Sequence, residues 1–203
     1  HVFSVEGSSR SILTAERLSL NYIQRMSGIA THTRRLVRLI GHSKTTLLDT
    51  RKTTPNNRVF EKMAVRIGGG SNHRFGLFDM ILIKDNHIDF CGGIDQALDT
   101  VHQYLEQTGK KLPVEIEVRD FEELDQVLRH GGVTRIMLDN FSVSDLRKAL
   151  EIIDHRYETE ASGGINERNL AEYASTNVDF ISVGALTHHV NALDLSLKSL
   201  SAL

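Results

Sequence analysis

The fold is decided by the stretch "VEIEVRDFEELDQVLRHGGVTRIMLDN", Val114 to Asn140, which predicts a strand, a helix and a second strand. The two ends, Val114 to Val118 and Arg135 to Leu138, are short and rich in β-branched and apolar residues. Between them, Phe121 to Arg129 has the apolar spacing of a helix. Elements of these lengths indicate a right-handed βαβ unit, so we expect a parallel sheet.

The same alternation continues along most of the chain. Four further strands are predicted at Thr45 to Leu48, Met80 to Ile83, Tyr157 to Ala161 and Phe180 to Val183. Further helices are predicted at Asn57 to Ile67, Ile94 to Thr108, Ser144 to Ile153, Glu167 to Ser175 and from Ala185 onward. No GxGxxG follows the first strand, and polar residues end nearly every strand. We therefore expect an incomplete TIM-like α/β barrel of about six parallel strands rather than an open doubly wound sheet.

Three domain-level segments are predicted. Residues 1–13 alternate like a strand around a break at Gly7, and we interpret them as the tail of a larger domain. Residues 14–40 are expected to form a long connecting helix with Thr14 as its N-cap and a break near Gly28. Residues 41–203 are assigned to the barrel.

Composition excludes several classes of protein. With 203 residues, 40% apolar, the chain is long enough for one sizeable core, and its apolar runs fall short of the roughly 18 residues of a membrane span. The single cysteine, Cys91, excludes an internal disulfide framework and a Cys-rich metal site. The net charge of −2 and the absence of tryptophan argue against a nucleic-acid partner. We expect a cytoplasmic globular protein that does not bind a membrane.

Positive charge is concentrated in one part of the chain. From Thr50 to Lys84 there are seven Lys or Arg residues and two acids, which makes that segment +5 and the remainder −7. This segment also contains "GGGSNHR", Gly68 to Arg74, in which three glycines end a predicted helix and lead into His73 and Arg74. The spacing is not that of a P-loop, so we expect a flexible or closely packed loop that delivers His73 and Arg74 to an anion site.

The residues that follow the predicted strands are rich in chemistry. Because the carboxyl ends of barrel strands converge on one face, these residues should meet. They are Asp49-Thr50-Arg51-Lys52, Lys84-Asp85-Asn86-His87, Glu117, Asp139-Asn140, Ser162-Gly163-Gly164 and Gly184. The remaining histidines are assigned to the surface or to packing: His32, His42, His102, His130, His155 and His189.

The strand-end residues divide into two groups by charge. The forked donors of Arg51 suit a planar carboxylate, whereas Lys52 and Lys84 act as point charges that suit phosphate oxygens. Glu117 and Asp139 suit sugar hydroxyls or Mg²⁺. The glycines of "SGGI" and "SVGALTHH" precede helix starts, where backbone N–H groups can hold a phosphate monoester. The sequence therefore predicts a site for a polyanionic ligand.

Nine blocks of this sequence, in order, resemble the quinolinate phosphoribosyltransferases, also called carboxylating nicotinate-nucleotide pyrophosphorylases. The blocks are "ERLSLN" (Glu16 to Asn21), "SGIAT" (Ser27 to Thr31), "DTRKTTP" (Asp49 to Pro55), "EKMAVRIGGGSNHR" (Glu61 to Arg74), "LIKDNHI" (Leu82 to Ile88), "EIEV" (Glu115 to Val118), "LDN" (Leu138 to Asn140), "EASGGI" (Glu160 to Ile165) and "ISVGALTH" (Ile181 to His188). Asn56-Asn57 departs from the Gly-Leu that the family has there. The resemblance implies that residues 1–13 are the remnant of a truncated N-terminal α/β sandwich domain.

The resemblance also implies a reaction and a role for each site residue. The reaction is transfer of phosphoribosyl from phosphoribosyl pyrophosphate to quinolinate, giving nicotinate mononucleotide, pyrophosphate and CO₂ in NAD biosynthesis. The implied quinolinate ligands are Arg51, His73, Arg74 and Lys84, with Arg17 supplied by the partner in a homodimer. Thr50 is a further implied substrate-binding residue on the same loop as Arg51. Lys52 would face the pyrophosphate, and Glu117 and Asp139 the ribose and Mg²⁺. The implied ligands of the 5′-phosphate are Ser162, Gly163, Gly184 and His188. Lys52, Lys84, Glu117 and Asp139 form the implied catalytic set.

Three alternatives stay open from the sequence. One is a related phosphoribosyltransferase with another acceptor, such as a nicotinate-using or molybdenum-transport-associated homologue. Another is a Schiff-base aldolase barrel with Lys84 as the nucleophile. The third is an anion-binding module without catalytic activity.

Overall fold

Six parallel strands surround a polar interior and are joined by helices in a computed structural model that describes residues 1–41 and 43–199. The strands are β1 (Thr46–Leu48), β2 (Ile81–Ile83), β3 (Val114–Val118), β4 (Arg135–Asp139), β5 (Glu158–Ser162) and β6 (Phe180–Ser182). The helices are α1 (Ser9–Ile40), α2 (Arg58–Ile67), α3 (Asp85–Cys91), α4 (Ile94–Thr108), α5 (Phe121–His130), α6 (Val143–Ile153), α7 (Leu170–Ala174) and α8 (Ala185–His188).

The sheet is a barrel that stays open along one seam, as the sequence predicts. Its strand order is β1-β6-β5-β4-β3-β2, so β1 and β2 are the two edges and share no ladder within the described residues. On the open edge of β1, Ser71 donates its backbone N–H to Leu47 O at 2.8 Å and accepts from Asp49 N–H at 3.2 Å. The loop that follows α2 thus takes up part of the unpaired edge of β1.

Alternate residues of the central strands explain their mixed composition. Ile116, Ile136 and Ala161 are buried in the apolar core together with residues of the helices, such as Leu124 of α5. Their polar neighbours lie on the opposite face of the same strands. On that face, the residues towards the carboxyl ends of the strands line a cavity, namely Glu117, Met137, Asp139, Glu160 and Ser162. The period of two in "VEIEV" therefore separates an apolar outer layer from a polar barrel interior.

The amino end of the chain differs from the prediction. Residues 1–6 form no strand, and the expected strand beyond Gly7 is wrong because α1 begins at Ser9 with Ser8 as its N-cap, rather than at Thr14. The expected break at Gly28 is also wrong. Gly28 is buried in a continuous helix, and a Cβ there would lie 2.3 Å from Asn191 O. This glycine allows the chain around Asn191 to approach the helix rather than interrupting it.

Elsewhere the predicted elements are found with small changes of boundary. Helix α3 is not among the predicted helices, α7 is shorter than expected, and the final helix ends at His188. The predicted extension of that helix through residues 200–203, and the assignment of His42, lie outside the described residues. None of the helices in the described ranges has the length and apolar character needed to cross a membrane.

Replacing Gly28 with alanine is expected to destabilise the protein, although alanine normally stabilises a helix interior by about 1 kcal/mol. The added Cβ would collide with the backbone at Asn191, and overpacking of this kind costs about 1–3 kcal/mol. Urea denaturation of Gly28→Ala measures the effect. Ser19→Ala at an exposed position of the same helix is the matched control, and equal stability of the two variants would contradict the close approach.

Candidate active site

A cavity of about 290 Å³ lies at the carboxyl ends of the strands. Eleven of the residues predicted from the sequence line it: Thr50, Arg51, Lys52, His73, Arg74, Lys84, Glu117, Asp139, Ser162, Gly163 and Gly164. Sequence reasoning missed its other lining residues: Leu82, Met137, Glu160, Ile165 and Ser182. Within the part of the chain that is described, Arg17, Gly184 and His188 are not among the lining residues.

The cations lie on the side of the cavity formed by β1 and β2. Arg74 is almost fully buried, and its guanidinium donates to Met80 O at 3.3 Å. Burial first, and then the neighbouring charge of Arg51, lowers the pKa of Arg74 from its ordinary value. A buried guanidinium whose pKa is lowered in this way gains from a nearby anion. This side of the cavity is therefore suited to a carboxylate ligand.

Lys84 links the cationic side to the carboxylates of the central strands. Its Nζ lies 2.8 Å from Glu117 Oε2, and its backbone N–H donates to His87 Nδ1 at 3.0 Å. The second contact occurs at the start of α3, which places Lys84 at a helix N-cap. The side chain of Lys84 is still 44% exposed and can reach a ligand in the cavity.

The opposite side of the cavity carries Asp139 and a glycine loop. Asp139 accepts from Ser162 Oγ at 2.6 Å and from Asn140 Nδ2 at 2.6 Å, which fixes the carboxylate between β4 and β5. Gly163 has φ 85° and packs directly against the Asn140 side chain. The loop after β5 is therefore tightly set against the end of β4, with its backbone at the cavity.

Lys52 lies where the loop after β1 meets the start of α8. Its backbone carbonyl accepts from Thr187 Oγ1 at 2.8 Å. A Cβ on Gly184 would lie 2.8 Å from His188 Nε2 and 3.2 Å from the Lys52 side chain, so Gly184 and His188 adjoin Lys52 although they do not line the cavity. Burial, followed by the charges of His189 and Lys52, lowers the pKa of His188. Further along this loop, Asn56 adopts φ 63°, a conformation that asparagine tolerates.

His73 is buried and both of its ring nitrogens face protein groups. Nδ1 accepts the Arg74 backbone N–H at 2.7 Å, so Nε2 carries the hydrogen. Nε2 is fully buried and lies 2.9 Å from Glu115 Oε2 and 3.5 Å from Glu160 Oε2. His73 thus lines the cavity with both ring nitrogens directed at protein groups, and its direct contact with a ligand stays a prediction.

Two buried acids, Glu115 and Glu160, form the floor of the site. Arg135 donates to Glu160 at 3.0 Å and to Glu158 at 2.9 Å, and its guanidinium lies 3.8 Å from the centre of the Phe180 ring. Burial, followed by repulsion from Glu115, raises the pKa of Glu160 to about 7, and burial also raises the pKa of Glu115. The two carboxyl groups are thus best accommodated with a proton between them.

The donor atoms of His73, Glu115 and Glu160 lie within 4.8 Å of one another, which is compact enough for a metal ion. A metal-binding ring nitrogen must be unprotonated, however, and the Arg74 N–H on Nδ1 leaves the hydrogen on Nε2. We therefore interpret this group as an acid cluster rather than a metal site. Glu117 and Asp139, which line the cavity, form a donor set that fits Mg²⁺ better.

The fold and the cavity together define a class of protein, an α/β barrel whose cavity at the carboxyl ends of the strands is lined by cations and carboxylates. The comparisons with known proteins are more specific. Residues 29–198 match the model of the quinolinate phosphoribosyl transferase C-terminal domain. The chain therefore belongs to the quinolinate phosphoribosyltransferase, or nicotinate-nucleotide pyrophosphorylase, family.

Relatives from plants and bacteria agree with this assignment. The chain is 48% identical to quinolinate phosphoribosyltransferase (decarboxylating) 1b of Nicotiana tabacum, over 96% of the chain and 59% of that protein. It is 43% identical to a probable nicotinate-nucleotide pyrophosphorylase (carboxylating) of Bacillus subtilis, over 97% of the chain and 66% of that protein. The solved nicotinate-nucleotide pyrophosphorylase of Francisella tularensis is 49% identical, with a TM-score of 0.86 over 93% of this chain and 65% of that one. The chain thus spans about three fifths of the length of the tobacco relative.

The raised pKa of Glu160 predicts how stability depends on pH. Below the ordinary pKa of 4.5 the group is protonated in both states, and between 4.5 and about 7 only the folded state keeps the proton. Stability is therefore lost as pH rises through this window, by up to about 3 kcal/mol from this group. Denaturation of wild type and Glu160→Gln from pH 4 to pH 8 measures the difference. A decline that is equally steep in both proteins would contradict the assignment.

Gly163 and Gly164 provide a matched pair of substitutions, since both have positive φ values, 85° and 63°. An alanine Cβ at Gly163 would lie 2.2 Å from Asn140 Oδ1 and 2.8 Å from the Asn140 backbone nitrogen, whereas Gly164 has open space. We expect Gly163→Ala to lose about 1–3 kcal/mol more stability than Gly164→Ala. Chemical denaturation of both variants tests this, and equal losses would argue against the close packing of the loop on β4.

Proposed function

We propose that the protein transfers phosphoribosyl from phosphoribosyl pyrophosphate to quinolinate and decarboxylates the product. The products are nicotinate mononucleotide, pyrophosphate and CO₂, a step of NAD biosynthesis. The observation that carries the proposal is the division of the cavity into a cationic side at β1 and β2 and a carboxylate and glycine side at β3 to β6. A family shared with tobacco and Bacillus relatives named for this activity supports it.

The acceptor site belongs to the cationic side. Quinolinate is a planar dicarboxylate, and two guanidinium forks and one ammonium, from Arg51, Arg74 and Lys84, match its two carboxylates. Thr50 adds a short hydroxyl on the same rim. His73 supports this site from below through its contact with the Arg74 N–H.

The donor site belongs to the other side. Glu117 and Asp139 are the candidates for the ribose hydroxyls and for Mg²⁺, which when bound neutralises charge on the pyrophosphate. Lys52 is the candidate partner of the departing pyrophosphate. Ser162, Gly163, Gly184 and His188 are the candidates for the 5′-phosphate, through backbone N–H groups and short polar side chains.

This arrangement suits a dissociative displacement at the anomeric carbon. The pyrophosphate leaves while Lys52 offsets its charge, and the carboxylates of Glu117 and Asp139 stabilise the oxocarbenium-like centre. The pyridine nitrogen of quinolinate then attacks this carbon. Once the nitrogen is quaternary, the bond to the adjacent carboxylate breaks, CO₂ leaves, and the electron pair stays on a ring carbon that the positive ring stabilises. Loss of CO₂ itself needs no protein acid or base, and the ring carbon then takes a proton from water to give nicotinate mononucleotide.

Two further parts of the proposal concern assembly and location. Arg17 is exposed on α1 away from the cavity, which is compatible with a role in the site of a partner subunit. A homodimer that exchanges Arg17 is thus proposed. The cytoplasmic location stays a prediction, and relatives named as mitochondrial and chloroplastic are among those that match.

The geometry disfavours the aldolase alternative. A Schiff-base lysine must be a neutral amine, typically desolvated or close to another cation. Lys84 instead forms an ion pair with Glu117 at 2.8 Å.

The experiment that tests the proposed function is an assay of the complete gene product for nicotinate mononucleotide, with quinolinate, phosphoribosyl pyrophosphate and Mg²⁺. Nicotinate in place of quinolinate is the control, and turnover of nicotinate alone would overturn the proposal.

Arg51→Ala is expected to abolish quinolinate binding and to leave phosphoribosyl pyrophosphate binding largely intact, because Arg51 lies on the acceptor side. Calorimetric titration of each substrate measures the two affinities. Lys52→Ala is the matched control with the opposite expectation, since it removes the neighbouring charge that is proposed to face the pyrophosphate. If Arg51→Ala weakened both ligands equally, this division of roles would be wrong.

A further inference from the structure

Helix α2 carries two adjacent charged residues of opposite sign, Glu61 and Lys62, and both are buried with at most 2% of their surface exposed. Charged side chains are rarely buried without partners. The partners of these two residues lie in different loops of the candidate site. The first loop carries Arg74 and the second carries Lys52, which are proposed to bind different substrates. Arg51 precedes Lys52 in the second loop, but its carbonyl is held separately by Arg58 at 3.3 Å.

Lys62 fixes the loop that carries His73 and Arg74. Its Nζ donates to Asp49 Oδ1 at 2.5 Å and to His73 O at 3.0 Å. Asp49 in turn accepts the His73 backbone N–H at 2.9 Å and, through its other oxygen, Asn72 Nδ2 at 2.6 Å. Both backbone polar groups of His73 are therefore held by one buried ion pair, and Arg74 is the next residue.

Glu61 fixes the loop that carries Lys52. Its Oε2 accepts the Thr54 backbone N–H at 3.0 Å, and its Oε1 pairs with Arg25 at 2.9 Å. Arg25 donates to Thr54 Oγ1 at 3.3 Å and to Thr187 O at 2.5 Å. Thr187 connects this network to Lys52, because its hydroxyl donates to Lys52 O at 2.8 Å.

The ion pair of Asp49 with Lys62 is a costly way to obtain stability. Burial raises the pKa of Asp49 and lowers that of Lys62, which shows that desolvation opposes both charges. Apolar replacements of buried ion pairs are often neutral or stabilising. A role in fixing backbone geometry accounts for the pairs better than a role in stability, since each pair ends on the backbone of a loop at the cavity.

We propose that Lys62 with Asp49, and Glu61 with Arg25, are two independent positioning pairs, the first for the acceptor loop at His73 and Arg74 and the second for the pyrophosphate loop at Lys52. This inference rests on the proposed function for the identity of the two substrates. The anchoring of the two loops does not depend on it.

The test uses two double variants of the complete gene product that remove each ion pair without leaving a lone buried charge. Asp49→Asn with Lys62→Met is expected to raise KM for quinolinate at least about tenfold and to change KM for phosphoribosyl pyrophosphate less than about threefold. Arg25→Met with Glu61→Gln is expected to do the reverse. Each substrate is titrated with the other saturating, and the variants serve as controls for each other.

Amide hydrogen exchange provides a second readout that does not need turnover. The His73 amide should exchange faster in the first variant, and the Thr54 amide in the second, with each unchanged in the other variant. The single substitutions Asp49→Asn and Glu61→Gln replace the double variants if either fails to fold. Equal changes in both KM values, or the same exchange pattern in both variants, would overturn the inference. Loss of turnover in wild type with the two exchange patterns intact would instead contradict the proposed function and support the anchoring.

Discussion

Asp49 ends β1 with no exposed surface, and both of its carboxylate oxygens accept hydrogen bonds from the loop and helix beside it. The open seam of the barrel makes this contact necessary. β1 has no neighbouring strand on that side, and the loop after α2 takes the place of one through Ser71. The buried carboxylate joins this loop to the strand end. The position of Arg74, and with it the cationic side of the cavity, depends on that junction.

The interior of the barrel also carries charge. Glu115 and Glu160 are buried there, in contact with His73 and, for Glu160, with Arg135. Arg135 offsets part of their charge from below, and the raised pKa of Glu160 offsets more. The floor of the site is then close to neutral, so the cations at the rim remain available for an anionic ligand.

Much of this arrangement could be predicted from the sequence, because it depends on short-range patterns. The predicted strands agree with the observed ones to within a residue or two, since β-branched runs and their polar ends mark them directly. Residues from the ends of five of the six predicted strands meet in one cavity, whereas Gly184 after the sixth does not line it. The continuity of α1 at Gly28 could not be predicted, because the reason is a contact with Asn191, far away in the chain. The role of His73 was similarly hidden, since its partners Glu115 and Glu160 come from two distant strands. A stricter use of the period of two would have placed Glu160 inside the barrel.

The central claim is that the β1 and β2 side of the cavity receives the dicarboxylate and the β3 to β6 side receives the phosphoribosyl group. A crystal structure of the complete gene product with quinolinate bound tests it most directly. The account predicts quinolinate carboxylates within hydrogen-bond distance of Arg51, Arg74 and Lys84, with the backbone around His73 unchanged. The claim would be contradicted if quinolinate bound instead against Ser162 and Gly163 and made no contact with Arg51, Arg74 or Lys84.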